Sequence, residues 1–82
     1  MLDLGIVYLR FYQVFGRFPS DETGNRLLVA LKNGVYPSEI ANVITAMGQE
    51  DVARADEKLL QEVRRIYLVK QEKRQGAPSA LP

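Results

Sequence analysis

Glycine and proline residues divide this chain into four apolar segments, and this division constrains its fold more than any other feature. The breaks fall at Gly16 with Pro19, at Gly34 with Pro37, and at Gly48. Glycine commonly ends helices, and proline is favoured at the first position of a helix. Between the breaks, apolar residues recur at spacings of three and four, which predicts helices rather than strands. The chain is therefore predicted to be all-α.

About four helices are expected in a single small domain. The predicted helices cover about residues 2–15, 21–33, 37–47 and 49–75. The last is the longest, and Ser20 is the expected N-cap of the second. The end of the chain is rich in Gly, Pro and small residues, which is typical of a disordered tail. We therefore assign a helical domain to residues 1–75 and a tail to residues 76–82.

The composition removes most catalytic and metal chemistry. The 82 residues include no Cys and no His, so the usual ligands of zinc and haem, the thiol nucleophile and the commonest general base are all missing. The glycines are scattered and form no phosphate-binding loop. We therefore expect no enzyme activity, no cofactor, no metal and no small-molecule substrate.

Charge and hydropathy give a soluble protein as the expectation. The net charge of +1 provides no overall attraction to nucleic acid or to an anionic membrane. The first residues, MLDLG, carry an acid where a secretory signal carries bases. The apolar run 4–15 is too short to span a bilayer, and Arg10 and Gln13 interrupt it. We expect a cytoplasmic location and no membrane association.

The first predicted helix has more apolar surface than three short neighbours can cover. Its aromatic residues either fill the core or form a surface for a protein partner, since aromatics are enriched in interface cores. The candidate partner-binding residues are Tyr8, Phe11, Tyr12 and Phe15, and Phe18 belongs to the same aromatic set. Homodimerisation through this helix, or through the line from Leu59 to Ile66 in the fourth, is a further hypothesis.

The leading functional hypothesis follows from this apolar surface. The chain is interpreted as a small adaptor or regulatory protein without enzyme activity. It binds a protein partner, or a second copy of itself, through an apolar helical surface.

The stretch from Arg26 to Thr45 has the local pattern of a helix-turn-helix unit, which supplies the alternative hypothesis. Ala30 is the small residue at the expected helix crossing, and Gly34 supplies the turn four residues later. Branched side chains in the following helix point back at the first. The same residues also suit a plain helical hairpin in which they only pack the core.

The segment 34–48, GVYPSEIANVITAMG, resembles the corresponding part of the phage Cro repressor family. The shared features are the Gly-Val-Tyr turn, the following serine, Ile40 and Ile44. The resemblance covers about a fifth of the chain. It implies DNA binding in which the second helix of the unit, Pro37 to Met47, contacts base edges. By position, the contacting residues are Tyr36, Pro37, Ser38, Asn42 and Thr45. The small β-sheet of that family does not fit the long helix expected here.

Phosphate contacts in this alternative have to come from other parts of the chain, because residues 37–48 contain no Lys or Arg. The candidates are the late basic residues Arg64, Arg65, Lys70, Lys73 and Arg74. Basic residues are also typical of a solvated helix C-terminus, where they complement the helix dipole. The two hypotheses differ in whether this basic end lies beside the third helix.

Overall fold

The computed structural model describes the backbone of residues 4–48 and 51–79 and the side chains of residues 4–48 and 51–73. The elements are α1 (Gly5–Phe15), α2 (Asp21–Lys32), α3 (Pro37–Ala46), a 3-10 turn (Val52–Arg54) and α4 (Ala55–Ser79). The described residues contain no strand. The prediction of an all-α domain of four helices, with the longest at the C-terminal end, is confirmed.

The turn between α2 and α3 forms as the glycine predicts. Gly34 has a φ of 101°, a left-handed conformation that residues with a Cβ rarely adopt. Its N–H donates to the carbonyl of Leu31 (3.2 Å), and the N–H of Val35 donates to the carbonyl of Ala30 (3.1 Å). These two bonds satisfy carbonyls that the end of a helix leaves free, in the Schellman arrangement.

Side chains cap the starts of α2 and α3. The predicted N-cap of α2 is confirmed, because the Ser20 Oγ accepts a hydrogen bond from the N–H of Thr23 (3.2 Å). At α3, the Glu39 carboxylate accepts from the N–H of Tyr36 (2.8 Å). That carboxylate also lies near the positive end of the α3 dipole, so it stabilises a helix start that has few other charges.

α4 begins later than the sequence predicted. The predicted start was Gln49, which lies outside the described residues. The backbone of Asp51 is extended, and its carboxylate accepts a hydrogen bond from the N–H of Ala53 (3.0 Å). This local bond caps a 3-10 turn, so the regular α-helix begins only at Ala55.

α4 extends beyond its predicted C-terminal end. The backbone is helical to Ser79, whereas the sequence predicted an end near Gln75. Residues 80–82 of the predicted tail lie outside the described residues. With 25 residues, α4 is about 37 Å long at the usual rise per residue.

One hydrophobic core joins the four helices. α1 packs mainly on α3, α2 packs mainly on α4, and α3 also contacts α4. Each helix contributes to the set of large, fully buried side chains, which comprises Val7, Phe11, Leu27, Val35, Ile40, Ile44 and Leu59. In the part of the chain that the structure describes, no helix combines the length and apolarity needed to cross a membrane.

A polar network fixes the linker between α1 and α2 to the start of α4. The Asp56 carboxylate accepts from the N–H of Ser20 (2.8 Å) and pairs with the Arg17 guanidinium (2.7 Å). Arg17 also donates to the carbonyl of Val52 (2.7 Å), and its guanidinium lies 5.3 Å from the centre of the Phe11 ring. The Arg17–Asp56 ion pair therefore connects the linker between α1 and α2, the 3-10 turn and the start of α4.

Candidate protein-docking groove

The aromatic residues predicted to form a partner surface divide between core and surface. Phe11 is fully buried and Phe15 is only 7% exposed, so in the single chain both side chains fill the core, and their contact with a partner stays a prediction. They follow Val7 at intervals of four residues on the inward face of α1. Tyr12 is 50% exposed and stays available to a partner, and Tyr8 is half-buried.

Two aromatic side chains of α1, one exposed and one half-buried, gather around Phe18. The ring centroids of Tyr8 and Tyr12 lie 6.1 Å and 5.0 Å from that of Phe18. Leu9 is exposed on the same helix. We call these four residues, Tyr8, Leu9, Tyr12 and Phe18, the α1 patch. It consists of three residues of α1 and one residue of the linker that follows this helix.

The line from Leu59 to Ile66, predicted as another dimer surface, faces inward. Leu59 is fully buried, and Ile66 is half-buried against the core. In the single chain these side chains pack against the core, and the hypothesis of a dimer through this line stays a prediction.

A groove of about 680 Å³ lies between α2 and α4. Its apolar lining comes from both helices and consists of Val29, Ala30, Leu60, Val63, Tyr67 and Leu68. Ala30 is small, so the α2 side does not fill the space beside the larger α4 residues. Val29 and Leu68 are exposed. We call this feature the α2–α4 groove.

Charged side chains lie along the α2–α4 groove. Arg26 of α2 and both Glu57 and Arg64 of α4 line it. Glu57 is 3.9 Å from Arg54 in a mostly exposed pair, a geometry that contributes little stability. Neither Arg26 nor Arg64 forms an ion pair with another residue whose side chain is described. Apolar walls with charges alongside are typical of grooves that bind amphipathic helices.

The α3 residues of the DNA-binding hypothesis are on the surface, and basic side chains lie at both ends of the helix. The exposed set is Tyr36, Ser38, Asn42 and Thr45. The Lys70 Nζ lies 3.2 Å from the Glu39 carboxylate and 4.8 Å from the Tyr36 ring centre. The Arg10 guanidinium donates to the Thr45 Oγ1 (2.5 Å). Both basic groups near α3 are thus already engaged within the protein.

The other late basic residues are distributed over α4. Arg64 lines the α2–α4 groove, and Arg65 pairs with Glu62 (3.5 Å). Lys73 is exposed. Arg74 was assigned to the same set, but it lies outside the residues whose side chains are described. The basic end of α4 therefore reaches α3 through Lys70.

The core positions of the helix-turn-helix pattern are occupied, although its two helices have other main packing partners. Val35 and Ile40 are buried, and Val43 is half-buried. α2 packs mainly on α4, and α3 packs mainly on α1. Ala30, the expected crossing residue, lines the α2–α4 groove.

The sequence pattern placed Leu60 and Tyr67 beside the apolar line of α4 but did not predict the groove that they line with α2. Leu60, Tyr67 and Leu68 line the groove while Leu59 is buried in the core, so the apolar arc of α4 is wider than the face that carries Leu59. An apolar arc wider than one neighbouring helix can cover is the signal that was available.

Among the described side chains, no group of three or more His, Cys, Asp and Glu residues is placed to hold a metal ion.

Comparison with known proteins finds no matching family model, no matching curated protein and no matching solved structure.

Proposed function

We propose that this chain is a small, non-enzymatic protein-binding module that acts as an adaptor or regulator in the cytoplasm. It receives an apolar helix of a protein, or of a second copy of the chain, in the α2–α4 groove. The observation that supports this proposal is the groove of about 680 Å³ with apolar side chains on both walls. Removing that apolar surface from water is the main source of affinity in such complexes.

The groove is a better docking surface than the α1 patch. A side chain placed between α2 and α4 contacts apolar atoms on two sides. A side chain laid against the α1 patch is covered on one side only. Residues that dominate binding energy usually occupy such well-packed recesses.

Site-specific photocrosslinking tests the proposal with a closely matched control. Leu68 and Val69 are adjacent and are 48% and 50% exposed, but only Leu68 lines the groove. A photoreactive amino acid at position 68 should give a discrete protein adduct in the cells that naturally express the chain. The same group at position 69 should give much less adduct. Equal yields at the two positions, or no adduct at either, would contradict the proposal.

DNA binding through α3 is the second candidate function, and the placement of basic residues supports it. Lys70 and Arg10 lie at opposite ends of the exposed face of α3. It ranks second because phosphate binding by Lys70 has to compete with the Glu39 carboxylate. The test is binding to random-sequence duplex DNA at low and at moderate salt. We expect no binding. Micromolar affinity that falls steeply with salt would reverse the ranking, and Asn42→Ala would then be the first specificity variant.

A further inference from the structure

We propose that the occupant of the α2–α4 groove is α4 of a second copy of this chain. The two α4 helices pack antiparallel about a twofold axis that passes between Leu60 and Gln61. This inference rests on the proposed function, since it names the occupant of the same groove.

The groove side of α4 carries opposite charges at equal distances from its centre. Glu57 and Arg64 both line the groove and are two helical turns apart, so they lie on the same face of the helix. Leu60 and Gln61 lie midway between them. In a twofold antiparallel pair, a residue on one side of the axis meets the residue equally far on the other side in the second copy. Glu57 of each copy therefore faces Arg64 of the other.

Among the described side chains, Glu57 has one long, mostly exposed ion pair and Arg64 has none. The nearest basic group to Glu57 is Arg54 at 3.9 Å, and Arg64 has no ion pair with a described residue. The dimer brings opposite charges together beside apolar surface from Leu60 and Leu68. That surface excludes water around the charge pairs, which strengthens their interaction.

The same charges disfavour the other arrangements of two α4 helices. A parallel pair places Glu57 beside Glu57 and Arg64 beside Arg64. An antiparallel pair displaced by two turns places Arg64 against its own copy at the axis. Like charges in contact disfavour a binding mode, so they help to select one register. The axis between Leu60 and Gln61 is the arrangement that pairs opposite charges twice.

The twofold arrangement also closes the interface. Each groove is filled by α4 of the other copy, so α2 and α4 of the two copies form a four-helix bundle. Val29 and Leu68, which are exposed in the single chain, lie along this interface. A closed dimer leaves no second groove open for further chains to add.

Sedimentation equilibrium of the full chain, from low micromolar to near-millimolar concentration, tests the inference. The expected mass rises from 9.3 kDa to twice that value. Glu57→Arg and Arg64→Glu, made singly, should each weaken self-association roughly tenfold or more, because each creates two like-charge contacts. The double variant should restore most of the affinity. Circular dichroism shows whether each variant remains helical.

A charge exchange elsewhere on α4 is the control. Glu62 and Arg65 pair within one helix and are not part of the groove lining, so Glu62→Arg with Arg65→Glu should leave self-association unchanged. A monomer at every concentration overturns the inference. So does a dimer that the single exchanges leave intact, or one that the double exchange fails to restore. A monomer that still crosslinks another protein through position 68 overturns this inference and leaves the proposed function standing.

Discussion

At the scale of single residues, the Asp56 carboxylate makes two polar contacts, an ion pair with Arg17 and a hydrogen bond from the N–H of Ser20. Burial of the Asp56 carboxyl raises its pKa, but the Ser20 hydrogen bond and the Arg17 guanidinium outweigh that effect. The pKa of Asp56 therefore lies below its ordinary value of 3.8. A carboxyl with a lower pKa in the folded chain than in the unfolded chain stabilises the fold when it is ionised.

The first prediction concerns the pH dependence of stability. The contribution of Asp56 is complete at pH values above the ordinary pKa of 3.8. It is lost as the pH falls through the lower pKa of the folded state. Asp56→Asn should reduce the free energy of unfolding by about 1–3 kcal/mol at neutral pH. It should also flatten the decline of stability in acid, measured by urea unfolding at a series of pH values. Glu72→Gln, which alters an exposed carboxylate of α4, should retain the decline of the natural chain. If Asp56→Asn also shows the same decline of stability in acid as the natural chain, the ionised Asp56 carboxyl does not stabilise the fold.

A second residue-scale prediction concerns the close approach of α1 to α2 at Gly24. A Cβ at this position would overlap the Tyr8 hydroxyl, and the next nearest ring atom, Cζ, would be 3.2 Å away. Gly24→Ala gains helix propensity of about 1 kcal/mol but displaces the Tyr8 ring. In a chain that also carries Tyr8→Phe, the change that Gly24→Ala makes in the free energy of unfolding should be more favourable by about 1 kcal/mol, because the hydroxyl is absent. A double-mutant cycle measured by denaturant unfolding checks this. Strictly additive effects would show that the two positions are not in contact.

At the scale of helices, α1 presents two faces with different roles. Its inward face packs Val7, Phe11 and Phe15 into the core, and its outward face carries part of the α1 patch. Phe11→Ala should lower the free energy of unfolding by about 3–5 kcal/mol, because it removes a fully buried ring and leaves a cavity. Leu9→Ala, on the exposed face, should change it by less than about 1 kcal/mol. Thermal and urea unfolding measure both. A cost of similar size for the two variants would contradict the assignment of faces.

Local signals in the sequence predicted the helix boundaries that depend on local chemistry. Ser20 caps α2, and Gly34 ends it with a positive φ, because these effects involve only neighbouring residues. The start of α4 was not predicted correctly, although its cause is also local. The Asp51 side chain caps a 3-10 turn, and the spacing of apolar residues does not reveal such a turn.

The placement of side chains between helices was less predictable. Helical periodicity indicates an apolar face, but it does not say which neighbour covers that face. Phe11 and Tyr12 are both aromatic residues of α1, yet one is fully buried and the other is half exposed. The Lys70 pairing with Glu39 likewise depends on how α4 crosses α3, which no local pattern in either helix specifies.

At the scale of the whole molecule, the pairing of α2 with α4 creates the candidate docking site. Leu27 of α2 and Leu59 of α4 are both buried in the core, and the small side chain of Ala30 lines the groove between the two helices. This site requires residues that lie about thirty positions apart in the sequence. Its existence therefore becomes visible only when the helices are assembled.

The most direct test of the docking groove uses single cysteines, because the natural chain has none. Leu68→Cys and Val69→Cys place a thiol inside and outside the groove at exposures of 48% and 50%. In dilute purified protein, both thiols should react with a maleimide at similar rates. In the cells that naturally express the chain, the thiol at position 68 should react several-fold more slowly, while the thiol at position 69 keeps its rate. Equal reactivity at the two positions in cells would contradict the claim that the α2–α4 groove is where this protein binds its partner.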